Sequence, residues 1–144
     1  VCTEDGNLNE NIDICKPVGI QMKFEVLQAG KILVPNYHFF TEEGTCAFIT
    51  IDQDPYWYRR ARPKGWFLST VWIPGNFLSE GVYVVGMAIS TMDNPQMLHF
   101  YEREAIAFRV IDRLEGHTAR GDYAGVMQGI VRPLLKWTTE LHTN

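Results

Sequence analysis

Apolar and polar residues alternate along this chain in short blocks, and no block keeps a helical period. "VGIQMKFEV" puts Val18, Ile20, Met22, Phe24 and Val26 on one face and Gly19, Gln21, Lys23 and Glu25 on the other, a period of two that predicts a half-buried strand. "ILVPNYHFF" (Ile32 to Phe40) predicts a second strand. Pro35 places it at an edge or a bulge, because proline has no N–H to give to a ladder. "EEG" turns the chain, with Gly44 free to take positive φ, into a third strand, "TCAFITI" (Thr45 to Ile51). Further strands are predicted at "WFLSTVWIP" (Trp66 to Pro74) and "VYVVGMAIS" (Val82 to Ser90), then at "MLHFY" (Met97 to Tyr101) and "AIAFRVID" (Ala105 to Asp112), with "ERE" between the last two. Short strands, regular turn signals and no alternation of strand with helix predict an all-β fold, an antiparallel two-sheet β-sandwich of immunoglobulin-like or jelly-roll type.

Three segments fall outside this pattern: a polar lead-in over residues 1–13, read as a turn and a short first strand, a loop over 52–65 with two prolines, and a tail over 113–144. A length of 144 residues fits one domain, 1–144, and a chain of that size buries roughly 68–70% of its unfolded surface without staples. The net charge of -4 argues against nucleic acid as a partner. No apolar run is long enough to insert into a bilayer. Cys2, Cys15 and Cys46 form an odd set without CxxC spacing, which predicts reduced, buried thiols and no zinc site. No positively charged start leads into an apolar stretch, so nothing marks secretion. A start at Val1 instead of Met suggests a piece cut from something longer.

Few residues stand out as chemistry. Arg120, Gly121 and Asp122 spell RGD, too short a motif to argue adhesion. Cys46 lies in an apolar strand and reads as inert. His38, His99, His117 and His142 lack zinc-ligand spacing, so no metal is expected. Asp52 and Asp54 form a D-x-D that could hold a cation or act as a glycosidase pair. Capping of a turn is the favoured reading of that pair, since Asp at a strand end bonds nearby amides.

The loop cluster Tyr56, Trp57, Tyr58, Arg59, Arg60 and Arg62 is more informative. Aromatic rings stack on the CH face of a sugar, and guanidinium groups fork onto phosphate, carboxylate or hydroxyl oxygens. Tyr37, His38, Trp66 and Trp72 lie on strands that could flank the loop. Aromatic residues also fill sandwich cores, and both readings stay open for each residue.

The tail "EGHTARGDYAGVMQGIVRPLLKW", with "VPNYHFFTEEG" and "STVWIPGNFLSEGVYVVGMAIS", resembles the C-terminal domain of Wzt, the nucleotide-binding subunit of ABC transporters that export O-antigen polysaccharide. The resemblance spans about Gly19 to Trp137. It implies a cytoplasmic β-sandwich that binds the exported glycan, often at a modified non-reducing end. It also implies a homodimer in which a C-terminal strand is exchanged. Ile130, Val131, Leu134, Leu135 and Trp137 would be the exchanged residues, with Pro133 limiting them to edge or bulged pairing and Gly121, Gly125 and Gly129 making the RGD segment a hinge. No GxxxxGK[ST] or LSGGQ motif occurs in the chain, so the ATPase domain would lie upstream of Val1, and the transmembrane subunit would be a partner of the whole protein.

The resulting expectation is a non-catalytic glycan-binding module without a cofactor. Its sugar would stack on Trp57 or Trp72, and Arg59 or Arg60, with Tyr37 or His38, would bond hydroxyls or an anionic cap. Tyr56 and Trp66 complete the expected glycan-binding set. The alternatives are a dimerisation module that binds no sugar, and a small glycan-modifying enzyme using Asp52 and Asp54.

Overall fold

A computed structural model describes residues 1–93 and 95–142; Thr143 and Asn144, the end of the 113–144 tail, lie outside the described residues. Seven strands make two sheets. The larger has the order β1 (Asn11–Asp13), β7 (Met97–Ile111), β6 (Gly81–Thr91), β3 (Leu33–Thr41), β4 (Cys46–Ile51), and the smaller pairs β2 (Val18–Val26) with β5 (Gly65–Ile73). The fold is a β-sandwich. Every pairing is antiparallel except that of β1 with β7, which is parallel.

The alternation seen in the sequence decides which side of each strand is covered. Val18, Ile20 and Met22 of β2 face inward and meet Tyr37 and Phe39 of β3, Val85, Met87 and Ile89 of β6, and Phe108 and Val110 of β7. Full burial of each large side chain is worth about 1.5–3 kcal/mol, and this layer holds the sheets together. Pro35 fits its expectation in a local sense. β3 is an interior strand, but the last residue of β4 in register is Ile51, opposite Asn36, and Asp52 N–H then donates to the Pro35 carbonyl at 2.8 Å. The missing proline N–H faces the side on which β4 has already ended.

Two expectations are corrected. The segments at 97–101 and 105–112 are one strand, β7. "ERE" does not break it because it falls at a bulge, where β7 runs from Glu102 to Ile106 while β6 runs only from Met87 to Val85. Gly86 sits at that bulge, and a Cβ there would come within 2.9 Å of the Arg103 carbonyl. Cys46, read as buried, is exposed at the start of β4; among the thiols only Cys2 is buried, with Cys15 half-buried.

The tail is anchored through Arg132. The Asp112 carboxylate is fully buried and meets Arg120 Nε at 3.2 Å and Arg132 Nη1 at 3.5 Å, and Thr118 Oγ1 donates to it at 3.1 Å. Glu80 accepts from Arg120 at 2.6 Å. The hydroxyl of Tyr83 donates to the Ile130 carbonyl at 2.9 Å, and Val131 pairs with Leu78. Within this chain the arginine of the RGD segment is buried in a charge-balanced cluster.

Candidate functional site

The free edges of β4 and β5 face each other, and the loop over 52–64 closes one end of the seam between them. A cavity of about 220 Å³ opens there, lined by Tyr37, Thr50, Asp52, Gln53, Asp54, Ser69, Thr70 and Trp72. This is smaller than the roughly 300–1,000 Å³ of drug-sized sites and suits a single sugar ring. Tyr37 forms the floor: its buried hydroxyl crosses between the sheets and donates to the Ser69 carbonyl at 2.8 Å. Burial and the nearby Asp52 charge raise the phenol to about 12, against the pull of the Ser69 bond, so Tyr37 stays a neutral donor. Trp72 borders the cavity, and its indole, 48% exposed, shares the outer face of the smaller sheet with Trp66 and Leu68. Its indole lies over Gly19 of the paired strand, where a Cβ would come within 2.9 Å of the ring. The glycine seats the indole and leaves ring surface free.

The loop is built around a buried cation. Arg62 is only 3% exposed and donates to Asp52 Oδ2 at 2.9 Å and to the Leu33 carbonyl at 3.3 Å. Its guanidinium lies 5.7, 5.4 and 5.3 Å from the rings of Phe24, Trp57 and Phe67. Burial draws the guanidinium pKa down while Asp52 opposes the change. Trp57 packs edge-on against Phe67, at 5.1 Å between centroids, and so belongs to the loop's own core. Asp52 Oδ1 accepts the Asp54 amide at 2.9 Å, and Asp54 Oδ1 accepts the amides of Tyr56 and Trp57 at 2.9 and 3.1 Å. The pair caps the turn, the favoured reading of the D-x-D. Beyond the turn, Arg60 lies 4.5 Å over Tyr56 and Arg59 lies 5.2 Å over Tyr58. Arg59 holds φ of 57°, a left-handed conformation costing a non-glycine residue roughly 1–2 kcal/mol.

The remaining candidates do not converge here. Trp66 is exposed on the outer face of the smaller sheet with Leu68, and Lys23 Nζ lies 4.9 Å over its ring. His38 is on the outer face of the larger sheet, 5.4 Å from the Tyr101 ring and 2.9 Å from Asn36 Oδ1. Of the expected glycan-binding residues, Tyr37 and Trp72 line the cavity, Tyr56, Trp57, Arg59 and Arg60 belong to the loop beside it, and Trp66 and His38 lie elsewhere. Thr50, Gln53, Ser69 and Thr70 were not anticipated. Thr50, Ser69 and Thr70 signal themselves only as small polar residues in β4 and β5, and Gln53 only as a polar residue just past the end of β4; both signals become meaningful once β4 and β5 are known to face each other.

On the opposite side of the sandwich, between β2 and β7, lies a groove of about 750 Å³ with an apolar floor that includes Met22, Phe24, Met87, Ile89 and Ile106, and a lining that also takes in Lys23, Glu25, Lys31 and His99. β2 borders it with a free edge, since its ladder partner is β5 and its other bridge is only Cys2 to Gly19.

The architecture defines an all-β sandwich carrying a small polar seam pocket and an unfilled apolar groove. Its fold is that of the C-terminal domain of Wzt: the crystal structure of that domain superposes with a TM-score of 0.72, covering 96% of this chain and 78% of that one, at 12% sequence identity. No protein-family model matches the chain, and no curated protein matches it. Among the described residues, no helix is long and apolar enough to cross a membrane.

Proposed function

We propose that this domain is a non-catalytic carbohydrate-binding module that recognises the non-reducing end of an O-antigen polysaccharide and couples it to export by an ABC transporter. The observation that carries the reading is the seam pocket, where a sugar-sized hollow joins an exposed indole edge to a tyrosine, two threonines, a serine, a glutamine and two carboxylates. A hollow that holds about one ring favours a chain end, whose terminal sugar enters it while the following sugars run out past the loop. Arg59 and Arg60, stacked on tyrosines at the loop tip, would bond oxygens of the following sugars. The likeness of fold to the Wzt domain supports the glycan class and the transporter setting, with an ATPase domain and a transmembrane subunit as partners of the whole protein. The enzymatic alternative loses ground because three of the four oxygens of Asp52 and Asp54 are already engaged in the loop.

Homodimerisation by strand exchange belongs to the same proposal. Ile130 and Val131 are held in their own chain by Ser79, Tyr83 and Leu78, so the exchanged residues would begin after Pro133. Leu134 and Leu135 are more than half exposed, Trp137 is 84% exposed and Leu141 is 90% exposed. Leu135, Trp137 and Leu141 alternate with Lys136, Thr138, Glu140 and His142, the pattern of a half-buried strand. The apolar groove beside the free edge of β2 would receive that strand from a second copy.

The test is NMR titration of the domain with the O-polysaccharide of its source strain, intact and with the non-reducing terminus removed. Saturable binding to the intact chain alone, with shifts at Trp72, Thr70 and Gln53, is expected. Binding to neither form would sink the reading and leave the dimerisation module.

A further inference from the structure

The seam pocket has a charge character that the loop's arginines conceal. Its lining includes Asp52 and Asp54 and contains no lysine or arginine. Arg62 neutralises Asp52 from behind, walled off by Phe24, Trp57 and Phe67. Asp54 feels the Arg62 charge only at longer range. It makes no ion pair among the described residues, its Oδ1 is taken by two backbone amides, and its Oδ2 accepts no protein donor. The exposed guanidiniums of Arg59 and Arg60 lie over tyrosine rings and are not among the residues that line the cavity.

We infer that the pocket selects a non-anionic terminal sugar, with Asp54 as its specificity-determining residue and Arg62 as a positioning residue acting through Asp52. The inference rests on the glycan reading of the pocket. A carboxylate with free lone pairs accepts sugar hydroxyls in charge-assisted bonds. The same oxygens meeting a uronate or phosphate face like charge, which a binding site uses to exclude a competitor. Arg62 makes the arrangement rigid: with Asp52 held at both oxygens, the Asp54 turn cannot swing away to accommodate an anion.

The probes are the methyl pyranosides of glucose, mannose and galactose, each with its uronate and its 6-phosphate, titrated by NMR into the intact chain. At least one neutral glycoside should shift Thr70, Gln53 and the Trp72 indole, and its anionic counterparts should bind about tenfold more weakly, the scale of a partly screened like-charge contact. In Asp54→Asn, which keeps the turn-capping oxygen, the gap should close to within about threefold. Equal or tighter binding of an anionic form by the unmodified protein would overturn the selectivity while leaving the glycan pocket standing. An unchanged gap in Asp54→Asn would overturn the role of Asp54. If no probe moves a pocket residue, the glycan reading of the pocket falls, and the selectivity falls with it.

Discussion

The sandwich is open along both of its seams, and the two openings have opposite chemistry. The β4–β5 side is small, about 220 Å³, floored by Tyr37 and edged mostly by threonine, serine, glutamine and aspartate; the β2–β7 side is about 750 Å³, mostly aliphatic and aromatic, with Lys23, Glu25, Lys31 and His99 also in its lining. The difference follows from what each edge was given to cover it. The β4–β5 seam has a 13-residue loop of its own, 52–64, folded over a buried arginine, and what remains open is a pocket. Among the described residues, the β2–β7 seam is bordered by only the short turn after β2, which contributes Leu27, Gln28 and Lys31. It presents an apolar trough beside unpaired backbone, a surface that water covers poorly and another strand covers well. A polar, rigid hollow suits a small ligand with hydroxyl groups, and an apolar trough with a free strand edge suits polypeptide.

The polar seam breaks most severely at Arg62. Removing one partner of a buried ion pair costs about 3–5 kcal/mol, because the other charge is left stranded. Arg62→Ala also takes the cation from between three aromatic rings. Urea unfolding should show a stability loss in that range, with pocket amides broadened or shifted in the folded fraction. A loss below about 1 kcal/mol would mean that the loop stands without its arginine, and the contrast between the seams would lose its cause.

The apolar seam is tested by association. Deleting the chain from Pro133 onward removes Leu134, Leu135, Trp137 and Leu141, none of which is buried in the single chain. Mass in solution should fall from dimer to monomer, while the monomer's own stability changes by no more than about 0.5 kcal/mol, as for other exposed segments. Keeping the anchored part through Arg132 matters. A deletion that also removed Ile130 would break the bonds to Ser79 and Tyr83 and mix unfolding with dissociation. A truncated protein that stays a well-folded dimer would show that the groove is not where the copies meet.

What the sequence disclosed followed the same division. The sandwich was legible because six of the strands carry their own period or turn signal, as Val18 to Val26 does in register after register. The continuity of β7 was not, because a bulge lets polar residues sit inside a strand. The site was legible only in part. Trp72 and Asp52 were singled out, yet nothing local to "RRARP" says that Arg62 points inward while Arg59 and Arg60 point outward; that depends on three rings from two other elements closing around it. Arg120 is a similar case: it looks like a loop residue until Asp112 and Glu80 are found beside it.

The smallest effect is expected where the polar seam crosses between the sheets. Tyr37→Phe keeps the ring and removes the bond to Ser69, a net loss of about 1 kcal/mol near neutral pH. The distinguishing feature is the pH dependence. The phenol is raised from 10.0 to about 12 in the folded protein, so the protonated form is the one that folding favours. Its contribution is fully present below pH 10 and is lost as pH rises through about 12. The stability difference between the native protein and Tyr37→Phe should therefore shrink across that interval, even though Tyr83, also raised by burial, titrates in both. A difference that stays constant with pH would place the Tyr37 hydroxyl in contact with water, and the pocket floor would be open instead of closed.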